Sequence, residues 1–198
     1  MGQCYGIIIK RPNGKINYNL RKIEGCDHQM AKLMEHSYMQ NDTILAIVNQ
    51  IYKEKCRLIW CGDMYAEADE IDNVSNGEAS YDNLWADDEH KKFKSNEISE
   101  PFAKYDGDQF DYSGKFLVNH TKKVYISFDE YIEKSTDKSG WCISPISLLT
   151  AIGNGRGGGD YDGENVDKVG SWAWDEISIE DTKPGDGFEK SPIFFEEY

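Results

Sequence analysis

The residues best suited to chemistry gather in one stretch. From Gly153 to Gly163 the chain reads Gly-Asn-Gly-Arg-Gly-Gly-Gly-Asp-Tyr-Asp-Gly, six glycines in eleven residues with one cation among them. Glycine loses the most backbone freedom on ordering, so chains concentrate it where φ must be positive or where backbone comes close to another group. The successive N–H groups of Gly155, Gly157 and Gly158, with the Arg156 guanidinium, suit the cradling of a phosphate or carboxylate. The same composition also suits a surface turn that closes a helix onto the next strand. Gly153, Gly155 and Gly158 match G-x-G-x-x-G, but a helix-like segment precedes them and Asp160-Tyr161-Asp162-Gly163 follows, which excludes a dinucleotide fingerprint. No Lys-Ser or Lys-Thr completes a phosphate loop, and Asp160-x-Asp162-Gly163 lacks the third ligand of a calcium loop.

Other candidates lie apart in sequence. His36 has the titration range of a general base, as does His120 at the end of a hairpin strand. Asp63 and Asp175 each follow a Trp-bearing segment by three residues, and Asp160 completes a set of carboxylates suited to Mg²⁺ or to orienting a histidine. Each has a plainer reading: a helix-flank histidine bonded to backbone, or an Asp that ends a strand in a turn. No H-E-x-x-H pair exists, and Cys26, His28, Cys56 and Cys61 lack the close paired spacing of structural zinc.

These residues need elements to position them. Cys4–Lys10 reads as a strand, Pro12-Asn13-Gly14 as a turn, and Ile16, Tyr18 and Leu20 as an alternating partner strand. Asp27 would cap a helix with Met30, Leu33, Met34 and Tyr38 on one face. Asn41 or Asp42 would cap a second, with Ile44, Ile47, Val48, Ile51 and Tyr52 as its stripe. Arg57–Cys61 reads as a strand stopped by Gly62-Asp63. The second half has a hairpin at Phe116–His120 and Val124–Ile126, and a helix begun by Ser144-Pro145 and ended by Gly153. A long strand is expected over Gly170–Ile179. Hairpin, helix, strand and Asp thus occur twice. The expected fold is α+β, an antiparallel sheet with packed helices in two similar halves, 1–65 and 113–198, forming one compact domain with an acidic insertion at 66–112.

The chain has 198 residues, enough to bury a core without staples, and it is rich in aromatics. No apolar run approaches the ~20 residues of a membrane helix, and no basic-then-apolar leader opens the chain. Five cysteines without a C-x-x-C pair suggest free thiols in a reducing cytoplasm. The net charge is −14 and uneven: residues 1–62 carry +4, while residues 63–112 hold fifteen acids and four lysines. Such a block repels phosphate backbones and suits either a basic protein groove or plain solvation.

Met1-Gly2-Gln3-Cys4-Tyr5, Lys32-Leu33-Met34-Glu35-His36-Ser37, Trp60-Cys61-Gly62-Asp63, Asn119-His120-Thr121-Lys122-Lys123, the run from Gly153 to Tyr161, and Gly170-Ser171-Trp172-Ala173-Trp174-Asp175 resemble a family of uncharacterised phage and prophage proteins. Members often carry Tyr where Cys4 stands. The resemblance touches both halves, skips the acidic middle, and implies a mobile-element origin in a bacterial cytoplasm without implying a mechanism.

Three functions are compatible with these residues. One is an accessory protein that counters a host nucleic-acid-targeting defence, in the manner of an anti-CRISPR inhibitor, with Tyr81, Trp85 and Phe102 anchoring the acidic middle in a basic groove. Another is a small nuclease or phosphoester hydrolase, using His36 or His120 for protons, Asp63, Asp160 or Asp175 for metal or orientation, and Arg156 for phosphate; Mg²⁺ would be its only cofactor. The third is a nucleotide binder without turnover.

Overall fold

The computed structural model describes residues 2–14, 16–19, 32–62, 107 and 109–196, with only the backbone described at 16–19. Eight strands form one sheet in the order β2-β1-β3-β7-β4-β5-β8, with β6 paired to β3 off that path. They are β1 Tyr5–Lys10, β2 Ile16–Asn19, β3 Cys56–Gly62, β4 Phe116–Asn119, β5 Val124–Ser127, β6 Ala151–Ile152, β7 Glu176–Glu180 and β8 Glu189–Lys190. All pairings are antiparallel except β3 with β6 and β5 with β8. The helices are α1 Leu33–His36, α2 Asp42–Ile51, α3 Phe128–Ser135 and α4 Pro145–Thr150. The fold is therefore α+β, as the sequence implies.

The two hairpins lie on opposite sides of the β3/β7 pair: outward from the centre the sheet runs β3, β1, β2 on one side and β7, β4, β5, β8 on the other. The elements between differ: α1 and α2 precede β3, whereas α3, α4 and β6 precede β7.

The register explains the unbroken Ile7-Ile8-Ile9 run. Ile7 and Ile9 face the same side as their partners Trp60 and Leu58, where they join the main core. Ile8 faces the other way with Ile59, and both are fully or almost fully buried. A strand covered on both faces loses the apolar–polar alternation. On the core side, Ile44, Ile47 and Ile51 of α2, Phe128 and Tyr131 of α3, and Leu148 and Leu149 of α4 pack beneath Leu117, Ile126, Ile177 and Ile179. Burying each large aliphatic stabilises the fold by about 1.5–3 kcal/mol.

Caps set the helix starts. Asn41 accepts from the Thr43 N–H at 2.9 Å, and Ser144 accepts from the Ile146 N–H at 3.3 Å with Pro145 in the first turn.

Three local expectations need correction. Helix α1 ends at His36, so Tyr38 is not helical; it forms a bridge with Ile143. Helix α4 stops at Thr150, and its chain continues into β6 before Gly153 turns it at φ +90. Residues 170–175 are not strand. Turn bonds Ala173 N–H to Gly170 C=O and Asp175 N–H to Trp172 C=O fold them back, with Trp174 at φ +61. Phe110 and Tyr112, at the end of the 66–112 insertion, pack in the main core, as aromatics in an otherwise acidic stretch imply. The remainder of 66–112, apart from 107 and 109–112, and the Asp27 cap lie outside the described residues.

Candidate functional site

The glycine loop is built as a cradle, and a carboxylate of the same chain fills it. Asp160 Oδ2 accepts from the backbone N–H groups of Gly155, Arg156 and Gly157 at 2.7, 2.9 and 3.0 Å. Gly155 reaches this conformation at φ +87. The buried Gln3 amide donates to Oδ2 at 2.9 Å and to the Gly153 carbonyl at 2.8 Å. The buried Tyr5 hydroxyl donates to Oδ1 at 2.8 Å. A Cβ on Gly157 would stand 2.5 Å from Gln3 Cβ, so that contact requires glycine.

The loop is stitched on its other sides too. Gln3 N–H donates to the Gly158 carbonyl at 3.0 Å, and Met34 N–H donates to the Gly159 carbonyl at 3.1 Å. Asn154 and Tyr161 exchange two bonds of 2.8 and 2.9 Å across its base. Arg156 itself is exposed. The N–H groups of Gly155, Arg156 and Gly157 are thus engaged internally, and an external phosphate at that point would have to displace Asp160. The chemistry read from the composition, anion capture by a nest of amides, is present with an internal anion.

Asp175 and His120 occupy the far end of the sheet. Asn119 and Asp175 meet: Asn119 Nδ2 donates to Asp175 Oδ2 at 2.8 Å. Lys122 Nζ reaches the same oxygen at 2.5 Å, and Asn119 Oδ1 accepts from the Lys122 N–H at 2.8 Å. His120 turns elsewhere. Its Nε2 lies 2.8 Å from Ser178 Oγ, and Ser178 donates to Glu180 Oε1 at 2.6 Å. With its single proton on Glu180, the hydroxyl accepts from His120, which is the reverse of a base activating a nucleophile. Burial holds His120 below its ordinary pKa, and the charge of Lys55 acts in the same direction.

His36 sits in α1, where Nδ1 accepts from the Lys32 backbone N–H at 3.1 Å and so caps its own turn. Its neighbour Glu35 bonds Lys32 Nζ at 2.7 Å.

Asn119 is level with Ile177, which pairs with Cys56, while Tyr5 pairs with Gly62. The Asp160 node and the Asp175–His120 region therefore flank opposite ends of β3, about 20 Å apart at roughly 3.3 Å per residue. The structure does not bring these candidates into one cleft. Asp63, Tyr81, Trp85 and Phe102 lie outside the described residues.

Among the described residues no cluster of three His, Cys, Asp or Glu side chains could hold a metal ion. Cys4, Cys56, Cys61 and Cys142 form no disulfide with one another among the described residues. Burial pushes Cys56 up to about 12 and Cys142 up to about 11, which disfavours the nucleophilic thiolate at both. No helix among the described residues is long and apolar enough to cross a membrane.

One region escaped the sequence reading. Tyr38, Met39, Tyr112, Trp141 and Cys142 line a hollow of about 740 Å³. Trp141 is the most exposed large apolar side chain described, at 56%. The signal was Asp137-Lys138-Ser139-Gly140, a turn sequence immediately before a tryptophan. No known family, curated protein or solved structure matches this chain.

Proposed function

We propose that the chain is a binding protein of a phage or prophage, acting in the bacterial cytoplasm, that blocks a basic groove of a host RNA-guided or other nucleic-acid-targeting defence complex. The observation carrying this reading is the placement of charge: fifteen acids against four lysines between residues 63 and 112, in a chain of net charge −14. Such a field attracts a groove built for phosphate and repels nucleic acid itself. The engagement of Asp160, Asp175, His120 and His36 by structural partners supports binding over turnover.

The test uses a purified CRISPR effector complex with its guide RNA. Wild-type protein inhibits target binding, and a variant with Glu78, Asp82, Asp87, Asp88 and Glu89 replaced by their amides inhibits far less. Equal inhibition by both would refute the reading. Labelled RNA and DNA incubated with the protein and Mg²⁺ remain uncut; cleavage that disappears in His36→Ala or His120→Ala would establish the hydrolase instead.

A further inference from the structure

The hollow beside Trp141 continues into a second one of about 620 Å³, the two sharing Gln40, Tyr112 and Ile132. We infer that this trough receives an arginine-bearing segment of the partner protein, an assignment that rests on the binding reading above and names a second point of contact for it.

Trp141 is held out deliberately by local structure. Asp137 Oδ1 accepts from the Ser139 and Trp141 N–H groups, each at 2.8 Å, and Asp137 N–H donates to the Trp141 carbonyl at 2.9 Å. The indole then rests on Tyr38 with ring centroids 4.7 Å apart and planes tilted by 57°. A fixed, exposed indole backed by a phenol is a surface on which a guanidinium stacks.

The polar groups of the trough decide between ligands. Gln40 is engaged with the Phe110 backbone, Asn41 with Thr43 N–H, the Tyr112 hydroxyl with the Met39 carbonyl, and Thr136 with the Ile132 carbonyl. The Gln40 amide, the Asn41 amide oxygen and the Tyr112 and Thr136 hydroxyls, which could otherwise read a nucleobase edge or a sugar, are therefore already bonded to the chain itself. Beside them the trough offers aromatic surface and carboxylate. Glu35, Asp111 and Asp129 line the two hollows, and no lysine or arginine is among the described lining residues. Glu35 is balanced by Lys32, and Lys115, whose Nζ lies 5.7 Å over the Phe110 ring, partly offsets Asp111, so that with Asp129 the trough keeps a small negative excess. Backbone holds both: Asp111 accepts from Ser113 N–H at 2.9 Å and Asp129 from Gly114 N–H at 3.2 Å. Carboxylates repel phosphate and pair bidentately with guanidinium, so the trough favours arginine over a nucleotide.

The experiment titrates the full chain with the peptide acetyl-Gly-Arg-Gly-Arg-Gly-amide, followed by calorimetry, against its lysine counterpart and AMP. Arginine peptide binds best and AMP does not bind. Trp141→Ala and the double variant Asp111→Asn, Asp129→Asn each weaken the peptide by roughly tenfold, the range for truncating an anchor or a charge partner. The Glu78–Glu89 amide variant binds the peptide as wild type does, which separates this site from the acidic middle. Because Trp141 is exposed, its replacement leaves the fold intact, and an unchanged thermal midpoint verifies this. Undiminished peptide binding in Trp141→Ala, or AMP binding as tightly as the peptide, overturns the assignment. Should the amide variant inhibit the effector normally, the reading of the acidic middle fails while the peptide titration still decides the trough.

Discussion

Asp160 draws five donors from three parts of the chain: Gly155, Arg156 and Gly157 of its own loop, Gln3 ahead of β1, and Tyr5 within it. Bonds to a charged acceptor are the strong ones. Asp160→Ala leaves the buried Gln3 amide short of a partner, so the change costs about 1–3 kcal/mol. Urea unfolding measures it, and an unshifted midpoint would mean the node holds nothing. His120 gives a pH signature of known sign. Its folded pKa lies below the ordinary value near 6.5, so the fold keeps the ring neutral where the unfolded chain takes up a proton. Stability is therefore complete above that value and falls as pH drops through it towards the folded pKa. Between about pH 7.5 and about pH 5.5 the thermal midpoint of wild type falls further than that of His120→Gln. Equal slopes would show that the imidazole is not desolvated.

At the scale of elements, Asp175 ties the 170–175 turn to the β4–β5 hairpin through Asn119 and Lys122. Lys122 is half exposed, which places its pair near solvent, but Asp175 is buried. Lys122→Met thus costs roughly 1–2 kcal/mol, above the ~0.2–1 kcal/mol of exposed pairs. A double-mutant cycle with Asp175→Asn isolates the coupling; a coupling of zero would make the contact incidental. Most strands were legible because their apolar runs are bounded by Gly, Asn and Pro, as at Pro12-Asn13-Gly14 before Ile16. Helix α2 was legible from Asn41 and its stripe. The 170–175 turn was not, because Trp172 and Trp174 mimic strand alternation, while the fold is set by tertiary bonds from the Gly170, Trp172 and Trp174 N–H groups to the Leu148, Leu149 and Leu58 carbonyls. Helix α3 went unread, although Phe128, Tyr131, Ile132 and Ser135 recur at helical spacing. At the candidate site, the cradle read from Gly155, Gly157 and Gly158 shares the Gly155 and Gly157 N–H groups with the one formed, which takes the Arg156 N–H in place of Gly158. Its occupant was not legible, since Asp160, three to five residues on, sits on a loop whose path depends on Gln3 and Tyr5.

Over the whole molecule, one sheet joins both ends of the chain, and charge is segregated in sequence between a basic beginning and an acidic middle. An acidic segment associates quickly with a basic partner and loses that advantage as salt screens it. The most direct measurement is the affinity of the purified chain for the effector complex as salt rises from about 0.05 M to about 0.3 M. Affinity falls steeply for wild type and only weakly for the variant with Glu78, Asp82, Asp87, Asp88 and Glu89 as amides. Identical, salt-independent curves for the two proteins would contradict the account.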